Sequence, residues 1–212
     1  MNKFKYIFFD LDGTLIDTVP LILESFEHTF IKHFGVSRPV EETISYIGMP
    51  IWNHLNSIYP GKENQLIETY MEYNLCRFER GIAIFLGIYN ALKELQESGV
   101  IMGVITSRKK ETTTKALNLF DIKQFFSYII TSEDTDKHKP HGDPIKKAMS
   151  LAGITDPAEI LYVGDSTVDI LCAKDAGTYS AAVAWTYNVV DRLLETKPDF
   201  FINTPGELLN FK

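Results

Sequence analysis

The sequence predicts an α/β protein: a parallel sheet covered by helices, with a helical segment inserted after the first strand. Three observations carry this reading. Short apolar runs alternate with amphipathic stretches along most of the 212 residues, which is the pattern of βαβ units. Several of those runs end in acidic, hydroxyl or basic residues, as strands do at the ligand-binding edge of an open parallel sheet. The alternation breaks once, between about Ile16 and Arg80. The composition, 45% hydrophobic and 23% charged, is that of an ordinary globular chain. At roughly 100 to 200 residues per domain, the length suits a core domain carrying an insertion.

The first strand is expected at Lys5 to Phe9. The N-terminus, MNKFKYIFFDLDG, has an apolar run of only four residues before an acid, too short for a signal peptide or a membrane span. From Ile16 to Arg80 no strand-like run is flanked by turn signals. Val19, Leu23, Phe26, Phe30 and Phe34 instead mark one helix, and Leu66, Tyr70, Tyr73 and Arg77 another. Residues 16–80 are therefore read as a helical cap domain, and residues 1–15 with 81–212 as the α/β core. Beyond the cap, Ile88, Ala91, Leu92 and Leu95 lie at helix spacing and stop at Gly99, a C-terminal cap. Strands follow at Ile101 to Ile105, Tyr128 to Thr131, Ile160 to Val163, Ser180 to Ala184 and Phe200 to Ile202. Asp143-Pro144 and Asp156-Pro157 each read as an N-cap followed by proline at the first helical position. Cys76 and Cys172 stand 96 positions apart in no CxxC pattern. They read as two buried small hydrophobes in a reducing, cytoplasmic setting.

The chemistry gathers at the strand ends. FFDLDGTL puts Asp10 and Asp12 at the carboxyl end of the first strand, where Gly13 lets the chain turn. Two carboxylates so placed repel each other, which predicts either a hard divalent metal or a split pair of protonation states. The run does not fit a calcium EF-hand loop, since Gly13 is its fourth position and no glutamate sits at the twelfth. The second strand ends in Thr106-Ser107-Arg108. Lys137-His138-Lys139-Pro140 follows the third, and Gly164-Asp165-Ser166, with Asp169 one helical turn later, follows the fourth.

In that order and spacing, these residues resemble the four motifs of the haloacid dehalogenase superfamily, from about residue 5 to residue 209. Asp10-Leu11-Asp12-Gly13-Thr14-Leu15 is similar to the first motif, Thr106 to the second, Lys139 before Pro140 to the third, and Gly164-Asp165-Ser166 with Asp169 to the fourth. The insertion resembles the family's first type of cap. Ile47-Gly48-Met49-Pro50, GDSTVDILCAKDAG, and AVAW followed by PDFFI resemble its phosphoglycolate phosphatase and pyrophosphatase branch.

The resemblance implies a Rossmann-like core and an enzyme that hydrolyses a small phosphomonoester, phosphoglycolate-like, with Mg²⁺. Asp10 is implied as nucleophile, forming an aspartyl phosphate, and Asp12 as general acid and then base. Asp10, the backbone carbonyl of Asp12, and Asp165 are the implied magnesium ligands, with Asp169 supporting them from behind. Thr106, Ser107 and Lys139 are implied to hold the phosphoryl oxygens. Crowding among the carboxylates is expected to favour a proton on Asp12 in the resting enzyme.

Other residues receive plainer readings. His138 and His141 are expected in surface or orienting roles, and Phe26, Phe30 and Phe34 in the cap core. Arg108 is read either as a contact for a substrate's distal anion or as a solvated helix-start residue. Gly48, Trp52 and His54 belong to or follow the IGMP loop and are candidate specificity contacts, whereas Arg77 and Arg80 read as charged helix surface. Two departures from the family pattern stand out. Ile84-Phe85-Leu86-Gly87 replaces a Pro-x-Pro-Gly type turn, leaving the hinge open, and Thr186 follows Trp185 where glycine is usual.

Competing functions include pyrophosphate hydrolysis in the same branch and a β-phosphoglucomutase-like isomerase, whose Lys-Gly-x-x-Arg-like cap loop IGMP does not resemble. A phospho-switch domain of the receiver kind would need its phosphorylated aspartate where this chain has Thr106. Dehalogenation is disfavoured by Asp12. The net charge of −7 excludes a nucleic-acid backbone as partner. It does not exclude a small anion, because residues 101–150 hold nine Lys or Arg against six Asp or Glu. Oligomeric state is not legible.

Overall fold

The computed structural model describes residues 3–44, 47 and 51–212. Its strands are β1 (Tyr6–Phe9), β2 (Ile16–Asp17), β3 (Ala83–Ile84), β4 (Ile101–Ile105), β5 (Phe126–Ile130), β6 (Ile160–Gly164), β7 (Tyr179–Val183) and β8 (Phe200–Ile202). Six of them form a wholly parallel sheet in the order β5-β4-β1-β6-β7-β8. β1 is central and buried along its whole length, hence the unbroken apolar run YIFF. The chain builds outward from β1 to β4 on one side and returns to β6 on the other. The carboxyl end of β1 is thus the point where strand order reverses, and the crevice there is where open parallel sheets bind ligands.

The helices are α1 (Val19–Phe34), α2 (Val40–Ile44), α3 (Ile51–Ile58), α4 (Glu63–Gly81), α5 (Ile88–Glu97), α6 (Lys110–Leu119), α7 (Asp143–Ala152), α8 (Thr167–Ala176) and α9 (Val190–Glu195). α5 buries Ile88, Ala91, Leu92 and Leu95 in one core layer with Ile7, Phe9 and Val104. On the other face of the sheet, Ile145 and Ala148 of α7 and Cys172 of α8 pack with Phe8 and Tyr162. Each large apolar side chain so buried contributes roughly 1.5–3 kcal/mol. After α5, Gly99 takes up the left-handed backbone at φ +83°.

Several local expectations need correction. Asp143 is the first residue of α7 rather than its cap; Gly142 caps it, its N–H donating to Asp175 Oδ2 at 2.7 Å. Asp156 does cap, accepting from the Ala158 N–H at 2.9 Å, but what it opens is one 3₁₀ turn. β5 begins at Phe126, two residues earlier than predicted, because Phe125 and Phe126 both turn into the core. Cys172 is buried, whereas Cys76 is exposed on α4.

The inserted helices have a core of their own: Phe26, Phe30, Leu55, Leu66 and Tyr70. The Phe26 ring lies 4.8 Å from Tyr70 and 5.8 Å from Phe30, and Phe34, only partly buried, stacks on Tyr59 at 3.9 Å. The expectation of no strand between residues 16 and 80 fails at the start of the insert. There β2 pairs antiparallel with β3, Ile16 opposite Ile84 and Asp17 opposite Ala83. Two-residue strands carry no periodic signal in sequence. β3 lies at the hinge the family pattern left open, and the Phe85 N–H donates to the Leu15 carbonyl at 3.2 Å. The two connections of the insert therefore run side by side. Among the described residues, no helix is long and apolar enough to cross a membrane.

Candidate active site

Asp10 follows β1 directly and is 2% exposed, its N–H donating to the Val163 carbonyl of β6 at 2.9 Å. Lys139, equally buried, donates from Nζ to Asp10 Oδ1 and to Asp169 Oδ1, each at 2.7 Å. Asp169 sits in the first turn of α8. Its Oδ2 accepts from the backbone N–H of Ser166 at 3.1 Å and from the Ser166 hydroxyl, while Tyr162 donates to Oδ1 at 3.2 Å. This reciprocal cap fixes the strand-to-helix turn. A Cβ on Gly164 would fall 2.3 Å from Asp169 Cβ, so only glycine allows the approach.

Asp165, the residue after β6, is held by two donors on one oxygen. Thr186 Oγ1 and Asn188 Nδ2 reach its Oδ2 at 3.0 and 3.1 Å. Its Oδ1 is buried with no hydrogen-bond partner. Gly13, at φ +79°, comes so close that a Cβ there would lie 2.4 Å from Asp165 Oδ2.

Burial pushes the Asp10 carboxyl well above the usual carboxylate range; Lys139 pulls it down, while Asp169, Asp165 and Asp12 push it further up. Burial, with Asp169 adding to it, takes Asp165 to about 7. Burial also works against the charge of Lys139, yet Asp10 and Asp169 hold its pKa well above the ordinary lysine value. Oxygens of Asp10, Asp165 and Asp169 lie within 4.8 Å of one another. An all-oxygen set with one unsatisfied buried oxygen suits a hard divalent cation. Lys139, Tyr162 and Ser166 occupy both oxygens of Asp169, so Asp165 Oδ1 is the ready donor.

Asp12 faces the other way. Arg108 Nε donates to its two oxygens at 2.8 and 2.7 Å, and Thr18 Oγ1 to Oδ1 at 2.6 Å. Asp12 therefore meets a guanidinium, while Asp165 and Asp169 crowd Asp10. Arg108 is not a solvated residue either: its side chain is 12% exposed and lies 5.4 Å from the centre of the Phe78 ring.

A cavity of about 170 Å³ separates this edge from the insert. Asp10, Asp12, Thr106, Ser107 and Arg108 line it from the core, and the insert contributes Ile22, Phe26, Ile51, Trp52, Ile67 and Met71. Phe26 thus serves the cavity wall as well as the cap core. The Trp52 ring meets His138 edge-on at 5.4 Å across the gap. His54, 2% exposed, packs its ring 4.6 Å from Phe26. His141, Arg77 and Arg80 are exposed. Gly48 lies outside the described residues.

Sequence reasoning missed Thr18, Tyr162, Thr186 and Asn188 as members of the site. Thr186 had one signal, its place where the family has glycine. Tyr162 in an apolar strand reads only as core.

Residues 7–183 match the family described as haloacid dehalogenase-like hydrolase. The chain belongs to this family. Among curated relatives, pyrophosphatase PpaX of Oceanobacillus iheyensis is 37% identical over 97% of this chain and 95% of its own. Pyrophosphatase PpaX of Anoxybacillus flavithermus is 36% identical over 96% and 94%. A haloacid dehalogenase-like family hydrolase from Streptococcus pneumoniae superposes with a TM-score of 0.85 at 26% identity, covering 97% of both chains. A predicted phosphoglycolate phosphatase from Haemophilus somnus, at 22% identity, shares the fold with a TM-score of 0.87 over 99% of this chain and 98% of its own.

Proposed function

We propose that this hydrolase is a magnesium-dependent phosphatase that cleaves a small phosphomonoester through an aspartyl-phosphate intermediate. The observation that carries this reading is the buried Asp10–Lys139–Asp169 cluster beside Asp165, whose Oδ1 has no partner, at the strand-order reversal of the sheet. Asp10, the backbone carbonyl of Asp12, and Asp165 would hold the Mg²⁺. The bound ion would offset the repulsion between these carboxylates and the phosphoryl oxygens.

Asp10 attacks phosphorus in line: an Oδ–P bond forms and the bond to the ester oxygen breaks. Asp12 gives its proton to the departing oxygen, then takes one from the water that attacks the aspartyl phosphate, which releases phosphate and restores both carboxyl groups. Arg108 must first loosen from Asp12 for that proton to be held. A phosphoryl oxygen arriving beside Thr106 competes for the same guanidinium, which couples substrate binding to the release. Lys139, the Thr106 hydroxyl and the backbone amide of Ser107 steady the equatorial oxygens; the Thr106 N–H is held by the Ile130 carbonyl at 2.9 Å. One such contact is worth about 3 to 4 kcal/mol in the transition state.

Magnesium-dependent phosphate release from p-nitrophenyl phosphate tests this. Absence of release, or release that survives Asp10→Asn, overturns it. Pyrophosphate is the second reading, favoured by the names of the relatives at 36 and 37% identity. The cysteine usage and the family's small substrates fit an enzyme working in the cytoplasm.

A further inference from the structure

The two departures from the family pattern, the hinge at residues 84–87 and Thr186, meet in space. The Phe85 ring lies 6.3 Å from the Trp185 ring. From there the segment Trp185-Thr186-Tyr187-Asn188 sends its side chains alternately to two places. Trp185 Nε1 donates to the Thr14 carbonyl at 3.0 Å, and the Tyr187 hydroxyl donates to Asp17 Oδ2 at 3.0 Å. Both acceptors lie where the chain leaves the core for the insert, and Asp17 belongs to β2 itself. Thr186 and Asn188 turn the other way, to Asp165.

The grip on Asp165 is double. Thr186 Oγ1 lies 2.9 Å from its carbonyl oxygen and 3.0 Å from its Oδ2, and Asn188 Nδ2 lies 3.2 and 3.1 Å from the same two atoms. The Asn188 N–H donates to Thr186 Oγ1 at 2.9 Å, which ties the two clamp residues together. Asp165 therefore cannot shift without carrying residues 186 and 188 with it. Their neighbours 185 and 187 must follow, because adjacent Cα atoms are held about 3.8 Å apart. The Tyr187 bond is charge-assisted, and so stronger than a neutral one. Tyr187 is 41% exposed and does not line the cavity, so its hydroxyl serves the hinge rather than the pocket.

We propose, resting on the reading of Asp165 as a metal ligand, that residues 185–188 couple the metal site to the hinge of the insert, with Tyr187 as a positioning residue for Asp165. The two states are the loop with the Tyr187–Asp17 bond made and the loop with that bond broken. Asp165 is the better ligand when its clamp is fixed, so binding of a cation at its free Oδ1 favours the made bond. The coupling is reciprocal: whatever the hinge bond adds to Mg²⁺ affinity, bound Mg²⁺ adds to the hinge.

Calorimetric titration of Mg²⁺ into the full chain compares the wild type with Tyr187→Phe, which removes the hydroxyl and keeps the ring. Affinity is expected to fall about fivefold. A merely structural role for Tyr187 would lower the urea midpoint and leave the affinity alone. The hinge is read by hydrogen exchange at the Phe85 amide, which donates to the Leu15 carbonyl. Saturation with Mg²⁺ is expected to slow that exchange about threefold or more in the wild type, and by less in Tyr187→Phe.

Asp17→Ala removes the other end of the bond and is expected to weaken Mg²⁺ binding to the same degree. The double variant should then bind no more weakly than either single one, since both act through one bond. An affinity unchanged in either single variant, additive losses in the double variant, or a Phe85 amide that exchanges equally fast with and without Mg²⁺ overturns the coupling while leaving the phosphatase reading intact. Failure of the wild-type chain to bind Mg²⁺ overturns the metal-dependent reading and the coupling together.

Discussion

The two sides of the cavity are built on opposite principles. At the sheet edge, Asp10, Lys139, Asp165 and Asp169 are buried charged groups, and Lys139 alone ties two of the acids together. Across the gap, the insert offers methyl groups and aromatic edges from Ile22, Ile67, Met71 and Trp52. Buried charges are expensive to hold, so every contact that holds them is specified: the Ser166–Asp169 cap, the Thr186–Asn188 clamp, and the two glycines that leave no room for a Cβ. An apolar wall needs only volume and shape, and it tolerates exchange among hydrophobic residues of similar size. The edge thus gathers the buried ionisable groups, and the wall across the cavity from it is apolar.

The sharpest way to break this comparison is at the nucleophile. Asp10→Asn should lower kcat on p-nitrophenyl phosphate by about 10⁴-fold or more, since an amide cannot attack phosphorus as the carboxylate does. Retention of a tenth of wild-type activity would show that the edge does not determine the chemistry.

Next in size is the charge that joins the cluster. Lys139→Met leaves Asp10 and Asp169 buried without their cation. Urea unfolding of the metal-free protein should report a loss of about 3–5 kcal/mol. A comparable change at the wall, Met71→Ala, should lose at most about 2–3 kcal/mol, because the site is only partly buried.

Weaker again is the clamp on Asp165. Asn188→Ala combined with Thr186→Val should reduce Mg²⁺ affinity about 10–100-fold, measured by calorimetric titration, with little change in metal-free stability. An unchanged affinity would mean that Gly13 and the turn after β6 orient Asp165 unaided.

The smallest effect tests the neutrality of the wall. Because His54 titrates near 4 when folded and near 6.5 when unfolded, the unfolded chain binds the extra proton between those values. Stability should therefore fall as pH drops from about 6.5 toward 4. His54→Leu should flatten that part of the profile of thermal unfolding midpoint against pH, and an undiminished slope would place the titration elsewhere.

Much of the molecule was legible in the amino-acid sequence. The six strands of the sheet, the two long helices of the insert, and the meeting of Asp10, Thr106, Lys139 and Asp165 at one edge all follow from local pattern. Apolar periodicity and turn residues act over a few positions, and a parallel sheet carries every strand end to the same side. The paired two-residue strands β2 and β3 carry no period, and Asp143 lost the capping role to a glycine whose N–H is bonded by Asp175, 33 positions away.

What only the tertiary structure decided is which charges meet. Arg108 and Asp12 stand 96 positions apart, Lys139 and Asp10 129, and Thr186 and Asp165 21. Pairings over such separations depend on how the sheet twists and where the insert comes to rest, neither of which a local pattern encodes. By itself the sequence determined the sheet, the insert and the carboxylates at the strand ends. Packing then left Asp12 with a guanidinium, Asp165 with a clamp and a buried oxygen to spare, and the strand-end carboxylates facing an apolar insert wall.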